Sequence, residues 1–224
     1  MVQSMELVSR LRSELAGVEA QLFAHPWVAA LSAGRLAQDD LVLFAAQQRR
    51  IIGSDLRSVA LLVHRYGGSP SGRLFADSLK TESAALDALD SFAGALGADA
   101  RALAAVAPLP GAQAYTHFVA WLAAYGSDAE FAAAFLVNLP AWGRNCGMIG
   151  RGLRTRYGMD GKAIAFFDLF AGDAPGFAEA ALAIIQGGLD RGVDPQSIQE
   201  AARLLQQYEL MYWDALYTAA QARG

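Results

Sequence analysis

The chain has 224 residues, 54% of them hydrophobic and only 18% charged, with a formal net charge of −4. That composition can build one large core but lacks the basic stripe a nucleic-acid partner requires, since Arg49-Arg50 with Arg57 is short and broken. The lone Cys146 leaves neither a disulfide framework nor a cysteine-based zinc site, and no apolar run reaches the roughly 18 residues of a membrane span.

The N-terminus, with Glu6, Arg10, Arg12 and Glu14, has no apolar signal region, so a cytoplasmic protein is expected. Low charge at a mean hydropathy of +0.23 predicts that part of the apolar surplus enters a subunit interface, giving a homodimer or homotetramer.

Almost every segment repeats its apolar residues at a helical period. The first helix is predicted over 4–24 and closed by His25-Pro26, with a short turn over 27–32 ending at Gly34. The next opens on Gln38-Asp39-Asp40, acids suited to a helix N-terminus, and ends near Gly67-Gly68. A third starts at Ser69-Pro70 and runs to about 96, and a short helix over 100–106 is broken by Pro108 and Pro110. Residues 112–125 are apolar nearly all round, which predicts a central buried helix.

A long helix over 129–157 contains Pro140 and is expected to kink there. Helices follow over 162–171, from after Asp173 to 190, and from Asp194-Pro195 onward. No repeat, low-complexity tract or long linker divides the chain, so residues 1–224 are expected to form one all-α bundle of about eight helices.

Polar residues inside apolar stripes mark the candidate site. In the last helix Ile198, Ala202, Leu205, Glu209, Tyr212 and Leu216 share one stripe, which puts a carboxylate on the core face. Such a group acquires a partner, a proton or a role in chemistry. Gln48 interrupts the stripe Leu41, Phe44, Ala45, Ile52, Val59, with Asp55 on its flank. Its amide suits either the edge of a heterocycle or a neighbouring helix. Arg49 faces Val42, Ala46, Gly53 and Ala60 and is expected to be partly enclosed, whereas Arg50 shares a solvated face with Gln47, Ser54, Arg57 and His64.

In the long helix, Trp142 lies on the core stripe and Arg144 beside it, where it either meets a carboxylate or snorkels past Met148. Cys146 reads as packing, and Gly143, Gly147, Gly150 and Gly152 as sites of close helix approach. None of His25, His64 or His117 shares a stripe with an acid three or four residues away, so no metal and no cofactor is expected.

Taken in order, His25-Pro26-Trp27-Val28, Gly34-Arg35-Leu36, Leu139-Pro140 and Glu209-Leu210-Met211-Tyr212-Trp213-Asp214 resemble the TenA/thiaminase II family. The resemblance covers essentially the whole chain and implies a haem-oxygenase-like all-α fold, commonly in homo-oligomers. It assigns the family's acid/base glutamate to Glu209 and a pocket tyrosine to Tyr115. Other positions depart from the pattern. The family's Leu-Pro-Cys, source of the nucleophile, reads Leu139-Pro140-Ala141, and its pyrimidine-binding Gln-Asp reads Gln47-Gln48. Two further pocket tyrosines read Ile51 and Phe170. Cys146 lies about 140° around the helix from Ala141 and is a poor substitute.

In the oxidases of the same fold, a Glu-x₆-His pair and a His-x₃-Asp-x₂-His motif hold iron; here they read Glu82…Leu89 and Leu205…Glu209…Tyr212. The expectation is therefore a TenA-like pocket for a small, flat heterocycle, without thiaminase activity. Glu209 and Tyr115 would carry any chemistry. Gln48, Arg49, Ile51, Ala141, Trp142, Arg144, Phe170 and Tyr212 would line the pocket. An oxidase and a non-catalytic interaction or regulatory protein are the alternatives.

Overall fold

A computed structural model describes residues 1–172 and 174–223. Its helices are α1 (Val2–Phe23), α2 (Pro26–Ser32), α3 (Gln38–Tyr66), α4 (Gly72–Ala95), α5 (Ala100–Ala105), α6 (Pro110–Tyr125), α7 (Asp128–Arg156), α8 (Ala165–Ala171), α9 (Phe177–Asp190) and α10 (Pro195–Gln221). These are the ten helical segments that the periodicity marks, α8 being short like α2 and α5, with no strand among the described residues. Asp173, the expected boundary before α9, lies outside the described residues. α4 and α8 begin two or three residues later than expected, after turns at 69–71 and 161–164.

Local chemistry sets the helix ends. Asp194 accepts from the Gln196 amide at 3.0 Å, with Pro195 at the first position of α10. Ser127 and Glu130 cap α7 reciprocally, at 3.2 and 2.7 Å. His25 caps α2 by accepting from the Trp27 amide through Nδ1, which leaves Nε2–H to donate to Asp214 of α10 at 3.1 Å. The motifs around Trp27 and Trp213 are thereby joined, and the two indoles pack with centroids 5.4 Å apart. Pro140 removes one backbone donor, yet α7 continues through it unbroken.

α10 packs on α7, α6 and α1, while α3 packs on α4 and α6. Two apolar clusters form along this bundle. One gathers Trp27, Phe44, Phe92, Phe167 and Trp213; the other gathers Leu11, Leu62, Phe75, Phe131, Ile185 and Leu205. Each buried aromatic removes roughly 150–250 Å² from water at about 25 cal/mol per Å², so these rings supply much of the driving force. The clusters meet at one level of the bundle. There α3 shows Gln48 and Asp55, α7 shows Asn138, and α10 shows Gln206 and Glu209, all buried.

Two expectations need correction. α6 is not central: Trp121 is 49% exposed and Tyr125 77%, and Phe118 stacks on Trp121 and packs at a tilt against Tyr208 on an outward face. An apolar perimeter does not by itself dictate burial. Gln47 and Arg50 are not on a solvated face either. Gln47 is fully buried and bonds Ala107, Leu109 and Gln113, while Arg50 donates to the Ala104 and Val106 carbonyls. The segment after α5 folds over that side of α3 because these side chains satisfy its backbone.

Candidate functional site

At the waist between the two clusters the side chains leave a partly open chamber with a cavity volume of about 60 Å³. Its walls follow helical spacing. Gln48, Ile51, Ile52 and Asp55 of α3, and Phe135, Asn138, Leu139 and Trp142 of α7, are each an i, i+3, i+4, i+7 set. Glu209 and Tyr212 come from α10, Phe166 and Phe170 from α8, Tyr115 from α6 and Glu82 from α4. Close approach of α8 to α7 depends on Gly143, where a Cβ would lie 2.8 Å from the Phe170 carbonyl oxygen. A similar constraint holds at Gly152, whose absent Cβ would meet Ser32 Cα at 2.9 Å. Gly147 and Gly150 would meet only ordinary contacts.

Glu209 is 2% exposed and has no cation beside it. Trp213 Nε1 donates to its Oε1 at 3.0 Å, and Asn138 Nδ2 to its Oε2 at 2.5 Å. Burial pushes its carboxyl up to about 7, and those two donors limit the rise. Near neutral pH it can therefore either give or accept a proton. Tyr115, the other residue expected to carry chemistry, does not bond Glu209 directly. The phenol donates to Asn138 Oδ1 at 3.1 Å, and the Asn138 amide, which also donates to Gln206, links the two.

Two more acids border the chamber. Asp55 is 5% exposed and accepts from the Thr116 hydroxyl at 2.5 Å. Burial raises its carboxyl to about 7, against the Thr116 bond. Glu82, half-buried on α4, rises to about 8 through burial and then the charge of Asp55. The two titrate as a pair. Burial, then Asp55, Glu209 and Glu82 in that order, hold the Tyr115 phenol well above its ordinary range. The buried Tyr212 hydroxyl lacks a hydrogen-bond partner among the described residues, with the Gln48 amide beside it but out of bonding geometry.

The remaining predicted positions lie elsewhere. Arg49 is half-buried, as its small neighbours suggested, but pairs with Asp90 at 3.0 Å and does not border the chamber. Arg144 is exposed and lays its guanidinium 4.0 Å from the Phe23 ring centre. Ala141 is packed in the core, 100° around α7 from Trp142 and off the chamber wall. Cys146 is also fully buried off the wall, and burial, then Glu209, hold its thiol well above the usual range.

The wall residues not expected from the sequence are Ile52, Asp55, Glu82, Phe135, Asn138, Leu139 and Phe166. Asp55 follows Gln48 by seven residues, and Asn138 interrupts the apolar run Phe135-Leu136-Val137, so both had a signal. Glu82 had only its place at the glutamate of the oxidases' Glu-x₆-His motif, which Leu89 leaves incomplete. Among the described residues, no three His, Cys, Asp or Glu side chains are placed to hold a metal ion. No described helix is long and apolar enough to cross a membrane.

A model of the TENA/THI-4/PQQC family matches residues 12–219. No curated protein matches the chain in sequence. Among solved structures, a TenA homologue from Pseudomonas syringae pv. tomato superposes with a TM-score of 0.78 at 14% identity, covering 94% of this chain and 92% of that one. A TenA homologue from Pyrococcus furiosus gives 0.74 at 17% identity over 94% and 100%. A Shewanella denitrificans domain with a heme oxygenase-like fold gives 0.72 at 12% identity over 95% and 93%. These likenesses establish the haem-oxygenase-like all-α fold.

Proposed function

The chain belongs to the TENA/THI-4/PQQC family, and on that premise we propose that its chamber binds a small, flat heterocyclic molecule without thiaminase turnover. One observation carries the reading: Glu209 lines a partly open chamber, its buried carboxylate held by Asn138 and Trp213 with no countercharge among the described residues. A buried ionisable group so placed is costly unless something in the space uses it. The unpartnered Tyr212 hydroxyl and the adjacent Gln48 amide offer further hydrogen bonds to a ligand edge. Tyr115, Trp142, Phe166 and Phe170 supply flat apolar walls.

Against thiaminase chemistry stands the missing nucleophile. Ala141 occupies the cysteine position of the family pattern, and no cysteine or serine borders the chamber. Glu209 can shuttle a proton, but the thiolate that attacks in the family pattern has no counterpart on the chamber wall. Thiamine and an aminopyrimidine should be incubated with purified protein, following binding by calorimetry and turnover by chromatography. Aminopyrimidine binding without turnover is expected. Turnover abolished by Glu209→Gln would overturn the proposal. As part of the same reading, the exposed Trp121 and Tyr125, with the half-buried Phe118 and Tyr208 beside them, meet a second copy of the chain, and a monomer by light scattering would remove that element.

A further inference from the structure

We propose that the Asp55–Glu82 end of the chamber is a subsite for an organic cation, so that the flat ligand carries an ammonium or amidinium group. The inference rests on the reading of the chamber as a ligand site. Its first support is charge. The polar side chains bordering the chamber are Gln48, Asp55, Glu82, Tyr115, Asn138, Glu209 and Tyr212: three acids and no base. The nearby arginines of α3 are committed elsewhere, Arg49 to Asp90 and Arg50 to backbone carbonyls.

A second support is incomplete bonding. Asp55 uses one oxygen to accept from Thr116, and Glu82 has no hydrogen-bond or ion-pair partner among the described residues. Two neighbouring carboxyls in such surroundings are settled by a shared proton or by a cation between them. Independently of the acids, the Tyr212 hydroxyl, on a residue 2% exposed, borders the same space unpartnered. Geometry separates the two polar ends. Asp55 lies seven residues beyond Gln48, roughly 10 Å along α3. A ligand edge at Gln48, Tyr212 and Glu209 would thus leave its cationic arm at Asp55 and Glu82. The aromatic walls favour a flat organic cation, through cation–π attraction, over a metal ion, for which no third ligand converges.

The probes are benzamidinium and its neutral isostere benzamide, titrated calorimetrically at about pH 7.5, where the cation can draw the ionisation of the pair and circular dichroism verifies that each protein is folded. The proteins are the parent chain, Glu82→Gln, Asp55→Asn/Glu82→Gln and Glu209→Gln. Benzamidinium should bind the parent at least tenfold more tightly than benzamide. That preference should narrow in Glu82→Gln, vanish in the double variant and persist in Glu209→Gln. If Asp55→Asn disturbs folding through Thr116, the Glu82→Gln variant carries the test, since its side chain has no described bond to lose. Equal binding of both probes to the parent, a preference surviving in the double variant, or one lost only in Glu209→Gln overturns the subsite and leaves the chamber reading standing. Failure of both probes to bind overturns the chamber reading as well.

Discussion

Replacing Glu209 by Gln should make the protein more stable at alkaline pH, against the usual cost of altering a buried residue. The folded carboxyl titrates near 7 against an ordinary 4.5. Between these values the folded protein holds more protons at Glu209 than the unfolded chain, so stability falls as pH rises. With these two values the penalty is about 0.8 kcal/mol at pH 5 and about 3.3 kcal/mol at pH 8. The variant escapes it, although its amide oxygen cannot accept from both Asn138 and Trp213, which costs about 1 kcal/mol at every pH.

Going from pH 5 to pH 8, the stability of Glu209→Gln relative to the parent should therefore improve by about 2.5 kcal/mol. Asp55 and Glu82 add a dependence of the same sign, but both proteins contain them and their contribution cancels in the difference. Urea denaturation of both proteins at the two pH values reads the quantity directly. A relative stability that does not change with pH would refute the premise that this carboxyl is desolvated in the fold.

Gly143→Ala should destabilise by about 1–3 kcal/mol and displace α8, because its Cβ would meet the Phe170 carbonyl oxygen at 2.8 Å. Gly147→Ala, with its nearest contact at 3.5 Å, is the control, and equal melting temperatures for the two would contradict the packing. Tyr212→Phe removes a buried hydroxyl that has no partner, so the unliganded protein should gain about 1 kcal/mol; a loss on denaturation would mean the hydroxyl is bonded. Asn138→Ala strips partners from Tyr115, Gln206 and Glu209 together. It should cost about 2–4 kcal/mol near neutral pH and steepen the loss of stability on raising pH, and parent-like denaturation profiles would sink the network.

Glu209 shows how far one-dimensional reading reaches. Its stripe neighbours Leu205, Tyr212 and Leu216 must face the core, so a residue at their spacing must go with them. The same logic found Gln48 and Trp142, and the prolines, acids and capping side chains marked nearly every helix end, because caps are local chemistry. Periodicity alone gave the all-α class and the order of the helices.

It could not show which stripes come to the same level of the bundle. Asn138 stands between Tyr115 and Glu209 only because α6, α7 and α10 converge there. Glu82 enters the chamber only because α4 lies across α3 from Asp55. Arg144 and Arg49 had reasonable faces but found Phe23 and Asp90 instead. Helical period fixes a side chain's angle about its own axis, whereas a site requires the relative placement of several axes, and long-range packing decides that.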